Sequence, residues 1–212
     1  MAENATEDEQ IRAIKEWWRE NGRSVVAGVV IGIGTLVGWK GWSIYQEQQA
    51  LEASDQYNNM RAAILAQNFD SVVAQSQALK DRYAGTPYAV WGALLVAKAK
   101  AASGDTATAI ENLQWAVDHA KQATVKNIAI LRLARLYIAN TDYAKAEALL
   151  DQSFPDAYTS LYQELKGDLY AQRGQYEQAR QAYDAAILAS DAADIEFLIM
   201  KRNNLGLGNA SV

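Results

Sequence analysis

Residues 167–186, GDLYAQRGQYEQARQAYDAA, carry the pattern that decides the fold. Small and aromatic residues recur in this stretch at the spacing of two helices joined by a short turn, which we place at residues 172–175. In such a hairpin, small residues let the two helices approach closely, and aromatic residues fill the space toward the next hairpin. The stretch therefore predicts a helical hairpin with these core and turn positions: Gly167, Tyr170, Gly174, Tyr176, Ala179, Tyr183 and Ala186.

Two weaker copies of this hairpin precede it. The three copies align on Ala109, Ala146 and Ala179, which are 37 and 33 residues apart, and this period is typical of tetratricopeptide-like helical repeats. The helix starts and turns that complete the earlier copies are Thr86–Pro87, Gly104–Asp105 and residues 140–142. Their further core positions are Ala97, Leu113, Ala116, Leu133, Ala134, Tyr137, Tyr143 and Leu150.

Helical sequence also precedes the three copies. Residues 46–83 predict a further, degenerate hairpin, with a long helix through Ala66, a turn around Asn68 and Phe69, and a second helix to Tyr83. The whole chain contains only two prolines, and β-branched residues are sparse outside residues 25–37, so helix propensity dominates. We expect an all-α fold without strands.

A capping helix is predicted at the C-terminal end, at residues 191–204 (DAADIEFLIMKRNN). A stack of helical repeats needs such a cap, because the last repeat would otherwise expose an apolar face to water. Ile195, Leu198 and Ile199 are the residues that we expect to cover this face. Residues Leu205 to Val212 are expected to fray.

Val25 to Tyr45 predict a single transmembrane helix. The run VVAGVVIGIGTLVGW (residues 25–39) has no charge, and the full segment covers about 30 Å as a helix, the thickness of a hydrocarbon core. Trp39, Lys40, Trp42 and Tyr45 follow at one level, where aromatic rings and an outward-reaching lysine are typical of the membrane interface. The alternatives are a buried helix of a soluble protein and a cleavable signal peptide, but no small-residue cleavage site follows the run.

Basic residues near the two ends predict the orientation of this helix. Arg12, Lys15, Arg19 and Arg23 precede it, whereas Lys40 alone follows it closely, and cytoplasmic flanks carry the excess of basic residues. The predicted organisation is a cytoplasmic segment 1–24, a membrane helix 25–45 and a tetratricopeptide-like domain 46–212 across the membrane, which in a bacterium is the periplasm.

Residues 7–21 place apolar side chains on one helical face, and Gly22 offers a helix stop. With Trp17 and Trp18 beside Arg19, this segment is either a short amphipathic helix anchored at the inner leaflet or a cytoplasmic extension of the membrane helix.

Four glycines in the predicted membrane helix occur in two pairs with small-xxx-small spacing. Gly28 and Gly32 form one pair, and Gly34 and Gly38 form the other. Such spacing allows a second helix to approach closely, so these glycines are candidates for contact with a partner helix. The alternative is that they make no specific contact, because glycine is common in membrane helices.

The composition provides few residues suited to catalysis or to binding a metal or cofactor. The chain has no cysteine, a net charge of −5 and a single histidine, His119, for which a solvated or helix-capping role is expected. No basic stripe suggests nucleic acid, and no nucleophile elbow, phosphate-binding loop or dinucleotide motif occurs. We therefore expect no cofactor, no metal site and no enzymatic activity.

Protein binding is the remaining function, and the concave face of a helical solenoid, built from the first helix of each pair, is the expected surface. Its apolar candidates would hold a segment of another protein, and its charged candidates would orient that segment. An unused face, or one closed by the capping helix, is the alternative. The candidate residues are Trp91, Leu94, Lys98, Leu131, Arg135, Ile138, Glu164 and Asp168.

The stretch IKEWWRENGRSVVAGVVIGIGTLVGWKGW (residues 14–42) resembles the ancillary SecYEG translocon subunit family, the YfgM-like proteins. The resemblance continues more weakly through LRLARLY at residues 131–137, the Gly167–Asp168 repeat and NNL at residues 203–205. It implies a bacterial inner-membrane protein with its repeat domain in the periplasm, associated with the SecYEG translocon and with a membrane-anchored PpiD-type chaperone. Translocating polypeptides are a further candidate partner. The resemblance supplies no catalytic residue.

These observations together predict a non-enzymatic accessory factor, tethered in the lipid bilayer beside the translocation pore, that helps emerging proteins reach chaperones. Two alternatives stay open. One is a structural or assembly scaffold of another envelope complex that never meets a translocating chain, and the other is an assembly factor for outer-membrane or cell-wall machinery.

Overall fold

The computed structural model describes residues 3–190 and 195–206, with side chains described from Glu9 onward. Within these ranges the chain is helical and contains no strand, which confirms the predicted all-α fold. It divides into two compact units, residues 1–51 and 52–212. The helices are α1 (Glu3–Leu65), α2 (Phe69–Tyr83), α3 (Pro87–Ala102), α4 (Thr106–His119), α5 (Ala123–Ala139), α6 (Tyr143–Leu150), a 3-10 turn (Asp156–Tyr158), α7 (Thr159–Gln172), α8 (Tyr176–Leu188) and α9 (Ile195–Asn203).

The first unit consists of the long N-terminal part of α1. In the part of the chain that the structure describes, α1 is the one helix that is long and apolar enough to cross a membrane. Its large apolar side chains from Val26 to Tyr45 are exposed.

The predicted helix stop at Gly22 is wrong, because α1 runs without interruption from Glu3 to Leu65. A Cβ placed on Gly22 would lie 3.3 Å from the indole of Trp18, so the ring occupies the space left by the missing side chain. A glycine inside a helix costs only about 1 kcal/mol relative to alanine, which the continuous helix tolerates. Residues 7–21 therefore continue into the predicted membrane segment as one helix rather than form a separate one.

The second unit is a series of helical hairpins. Short turns join α1 to α2, α3 to α4, α5 to α6 and α7 to α8. The last three pairs pack against each other directly, and Met60 near the end of α1 shares a buried cluster with Val72 and Leu79 of α2. The three alanines that align the repeats, Ala109, Ala146 and Ala179, are fully buried, as predicted. Thr86 and Pro87 begin α3, also as predicted.

The four turns within these hairpins share one backbone conformation. Each contains a residue with positive φ: Gln67 at 57°, Gly104 at 84°, Thr141 at 62° and Gly174 at 73°. The N–H of this residue donates to the carbonyl three residues earlier, and the next N–H donates to the carbonyl five residues before it. This is the Schellman arrangement that ends a helix. The degenerate first hairpin therefore has the same turn as the three clearer ones.

The capping helix is present as α9, which begins at Ile195 in the described residues. Leu198 is 2% exposed, and Ile195 and Ile199 are half-buried, so the apolar side of α9 is covered as expected. Residues 191–194 of the predicted cap, and residues 207–212 of the predicted frayed end, lie outside the described residues.

Candidate protein-binding face

The predicted binding residues lie on the first helices of the pairs, α3, α5 and α7, but they differ in accessibility. Lys98 and Arg135 are exposed, and Trp91 and Leu94 are half-buried. These four side chains remain available to a ligand.

Leu131 and Ile138 do not line a groove. They are only 6% and 8% exposed and belong to the central apolar core of the second unit. The two residues lie two turns apart on the same side of α5, and this helix is enclosed by α4, α6 and α7. Their assignment to the binding surface is therefore corrected to a packing role.

Glu164 and Asp168 are already bound within the chain. Nζ of Lys201 in α9 lies 2.6 Å from Oε1 of Glu164 and 2.8 Å from Oδ2 of Asp168. The Tyr183 hydroxyl donates a hydrogen bond of 2.6 Å to Oδ1 of Asp168. Burial of Tyr183, followed by this hydrogen bond and the charges of both carboxylates, raises the pKa of the phenol. The capping helix thus engages both carboxylates of the α7 part of the face.

A small apolar pocket lies beside Trp91, between the start of α3 and the start of α5. Its volume is about 150 Å³. Trp91 is held by two tyrosines: its ring centroid is 5.3 Å from that of Tyr88 and 6.0 Å from that of Tyr57. The pocket, referred to below as the Trp91 pocket, is lined by Gly85, Thr86, Pro87, Val90, Trp91, His119, Ala120, Lys121, Gln122 and Val125.

Two open clefts flank α3. The α3–α5 cleft has a volume of about 310 Å³ and is lined by Leu94, Ala97, Lys98, Ala101, Leu113, Arg132, Arg135 and Leu136. The α1–α3 cleft has a volume of about 360 Å³ and is lined by Asn58, Arg61, Ala62, Ile64, Leu65 and Leu95. No aspartate or glutamate lines either cleft.

The sequence prediction missed several of these lining residues. Arg132 lies three residues before Arg135, so both project from neighbouring positions of α5, and this spacing was the signal available. Arg61, Leu65 and Leu95 belong to the degenerate first hairpin and its neighbour. The repeat pattern is too weak there to predict which side of each helix faces the binding surface.

The described residues contain no cluster of three or more His, Cys, Asp or Glu side chains suited to a metal ion. His119 is the last residue of α4. Its ring stacks on Trp115 with 4.1 Å between centroids, and its Nδ1 is 2.9 Å from the Trp115 carbonyl oxygen. The geometry therefore gives His119 a local role at the helix end.

Paired helices with buried small residues, repeated Schellman turns and a terminal cap define a helical-repeat protein. The chain belongs to the tetratricopeptide repeat-like domain family, whose model matches residues 15–207.

Curated relatives extend over nearly the whole chain. A Haemophilus influenzae protein named "Ancillary SecYEG translocon subunit" is 26% identical over 205 residues, covering 97% of this chain and 100% of its own length. An Escherichia coli K12 protein of the same name is 26% identical, with 95% and 97% covered. One from Neisseria gonorrhoeae is 24% identical, with 97% and 100% covered. No solved structure matches. The family resemblance of the sequence is thereby confirmed.

Proposed function

We propose that this protein is an accessory subunit of the SecYEG protein translocon in the bacterial inner membrane. The observation that carries the proposal is the end-to-end similarity to proteins named as ancillary subunits of that translocon, together with the tetratricopeptide-like fold. Its role is to present a protein-binding repeat domain beside the pore. This role requires binding and no catalysis.

The tether explains how weak binding suffices. Anchoring by α1 confines residues 46–212 near the membrane, so the local concentration of the repeat domain at a neighbouring complex is high. A PpiD-type chaperone and polypeptides leaving the channel are the proposed partners of this domain. The available surface for them is the Trp91 pocket and the two clefts that flank α3.

The proposed topology places residues 1–24 in the cytoplasm and the repeat domain in the periplasm. The excess of basic residues before Val25 supports this orientation. Proposed interface anchors are Trp17 and Trp18 on the cytoplasmic side and Trp39, Lys40, Trp42 and Tyr45 on the periplasmic side, all of which have exposed side chains.

The glycines of the membrane helix are proposed contacts for a helix of the channel or chaperone. No atom lies within 4 Å of a Cβ placed on Gly28, Gly32, Gly34 or Gly38. A second helix can therefore approach α1 closely at both pairs.

The test is purification of the C-terminally tagged full-length chain in mild detergent after brief crosslinking in cells. Channel subunits and a PpiD-type chaperone should be recovered. Photoreactive residues at Trp91 and Lys98, which are accessible, should crosslink to the chaperone or to translocating chains. Crosslinks that join only copies of this chain would instead support the structural scaffold, and repeated absence of channel subunits would overturn the proposed function.

A further inference from the structure

The α3–α5 cleft has a charge opposite to that of the whole chain. The chain has a net charge of −5, yet the polar side chains at this cleft are three cations, Lys98, Arg132 and Arg135, and none is an anion. Leu94 and Leu136, both half-buried, provide accessible apolar lining, and the core residue Leu113 lies at the base of the cleft. The cleft therefore combines an apolar surface with positive charge.

The cations of the cleft are only weakly compensated by the chain itself. Among residues 9–190 and 195–206, Lys98 and Arg132 have no ion pair or hydrogen bond partner. The Arg135 guanidinium is 3.6 Å from Glu164 and remains 57% exposed. Glu164 has the shorter contact, 2.6 Å, with Lys201, which also pairs with Asp168, so Arg135 is the one partly compensated cation among the three that line the cleft.

The neighbouring α1–α3 cleft has the same character. Arg61 is its charged residue, and Ile64, Leu65 and Leu95 contribute apolar surface. Leu65 is 86% exposed. Both clefts therefore present basic side chains beside apolar ones.

The geometry points to an acidic peptide segment of a partner protein, with apolar side chains between its carboxylates, as the ligand of the α3–α5 cleft. This inference rests on the proposed protein-binding function and specifies the chemistry of the partner. Apolar side chains of the peptide pack on Leu94 and Leu136, while its carboxylates pair with Lys98, Arg132 and Arg135. Charges at the rim of such a site select the partner and accelerate its association more than they add affinity.

The test uses two fluorescent synthetic peptides of equal length, one alternating leucine with glutamate and one alternating leucine with glutamine. Binding is measured by fluorescence anisotropy to the full-length protein in nanodiscs of uncharged lipid. The leucine–glutamate peptide should bind, and added salt should weaken that binding. In the triple variant K98Q/R132Q/R135Q its affinity should fall about tenfold, and most of the salt dependence should disappear.

The matched control is the triple variant R82Q/K126Q/R180Q, which removes the same charge at exposed residues outside both clefts. It should bind the acidic peptide like the unchanged protein. An equal loss in both variants, or equal binding of the leucine–glutamine peptide, would overturn the inference. Self-association of the unchanged chain that is lost in K98Q/R132Q/R135Q would assign the cleft to a second copy and would also overturn it.

Failure of the inference is distinguishable from failure of the proposed function. If neither peptide binds while channel subunits still co-purify, the acidic-peptide specificity is wrong and the translocon role stands. If channel subunits never co-purify, the translocon role is wrong regardless of peptide binding.

Discussion

Gly167 and Tyr183 are packed so closely across the α7–α8 pair that no side chain fits between them. A Cβ placed on Gly167 would lie 2.5 Å from both Cδ1 and Cε1 of the tyrosine ring. The ring is also fixed at its far end, because its hydroxyl donates to Asp168. The small and aromatic consensus positions of the repeat, here Gly167 and Tyr183, therefore pack directly against each other.

Gly167→Ala should destabilise the repeat domain by about 2 kcal/mol, because the added methyl group must displace a ring that is held at both ends. Urea unfolding followed by circular dichroism measures the effect. Gly85→Ala is the matched control, since its Cβ would meet only Nζ of Lys121 at an ordinary 3.8 Å, and we expect it to be neutral. Equal stability of both variants would contradict the close contact.

Lys201→Met should loosen the capping helix. Lys201 is 20% exposed and its partners Glu164 and Asp168 are 12% and 23% exposed. Its loss leaves these partly buried carboxylates with only the 3.6 Å contact of Arg135 to Glu164 and the Tyr183 hydrogen bond to Asp168, at a cost of about 2 kcal/mol. Hydrogen exchange of α9 should accelerate accordingly.

The neighbouring cation provides the control for this variant. Arg202 pairs with Asp184 at 2.8 Å, but the two side chains are 34% and 47% exposed, and a pair in that setting contributes under about 1 kcal/mol. Arg202→Met should therefore leave the exchange of α9 nearly unchanged. Similar acceleration in both variants would show that the pairing with α7 has no special importance.

Asp105 should make the α3–α4 hairpin sensitive to acid. Hydrogen bonds from Thr108, and then Lys100, lower the pKa of Asp105 below its usual 3.8. Because the folded-state pKa is depressed, the stabilisation is present above 3.8 and is lost as the pH falls through the lower, folded-state pKa. In thermal unfolding, the unchanged protein should melt at a higher temperature than Asp105→Asn at pH values above 3.8. This difference in melting temperature should shrink as the pH falls below 3.8. A difference that is constant with pH would contradict this assignment.

Local signals in the sequence were enough to predict the hairpins. The turns at Gly104 and Gly174 and the buried Ala109, Ala146 and Ala179 depend on residues whose small size is itself the cause of the geometry. The binding face depends on distant neighbours instead. Lys201 is 37 residues from Glu164, and no local sequence pattern predicts that ion pair.

The burial of Leu131 and Ile138 was missed for a similar reason. Alignment to the repeat predicts which positions of α5 point away from the second helix of the same pair. It does not predict how much of α5 the adjacent pairs bury. Gly22 shows the opposite error, because a residue that often ends helices was given more importance than the continuous helical pattern around it.

Thr141→Gly should stabilise the protein, and this prediction tests the shared turn directly. Thr141 has a φ of 62°, as Gly104 and Gly174 have 84° and 73°, but a β-branched residue in this left-handed region is strained by about 1–2 kcal/mol. Glycine removes this strain and loses about 1 kcal/mol through the greater entropy of the unfolded chain. We therefore expect a net gain of up to about 1 kcal/mol in urea unfolding.

The reverse change at the equivalent position gives the comparison. Gly174→Ala has open space for its Cβ, with no atom within 4 Å, so any loss of stability comes from the backbone alone. Its φ of 73° requires alanine to adopt the strained region, and the loss should be about 1 kcal/mol. Since the two turns have the same hydrogen bonds, Thr141→Gly should raise the free energy of unfolding and Gly174→Ala should lower it. If both variants shifted stability in the same direction, the two turns would not share the left-handed conformation, and the alignment of the hairpins on it would fail.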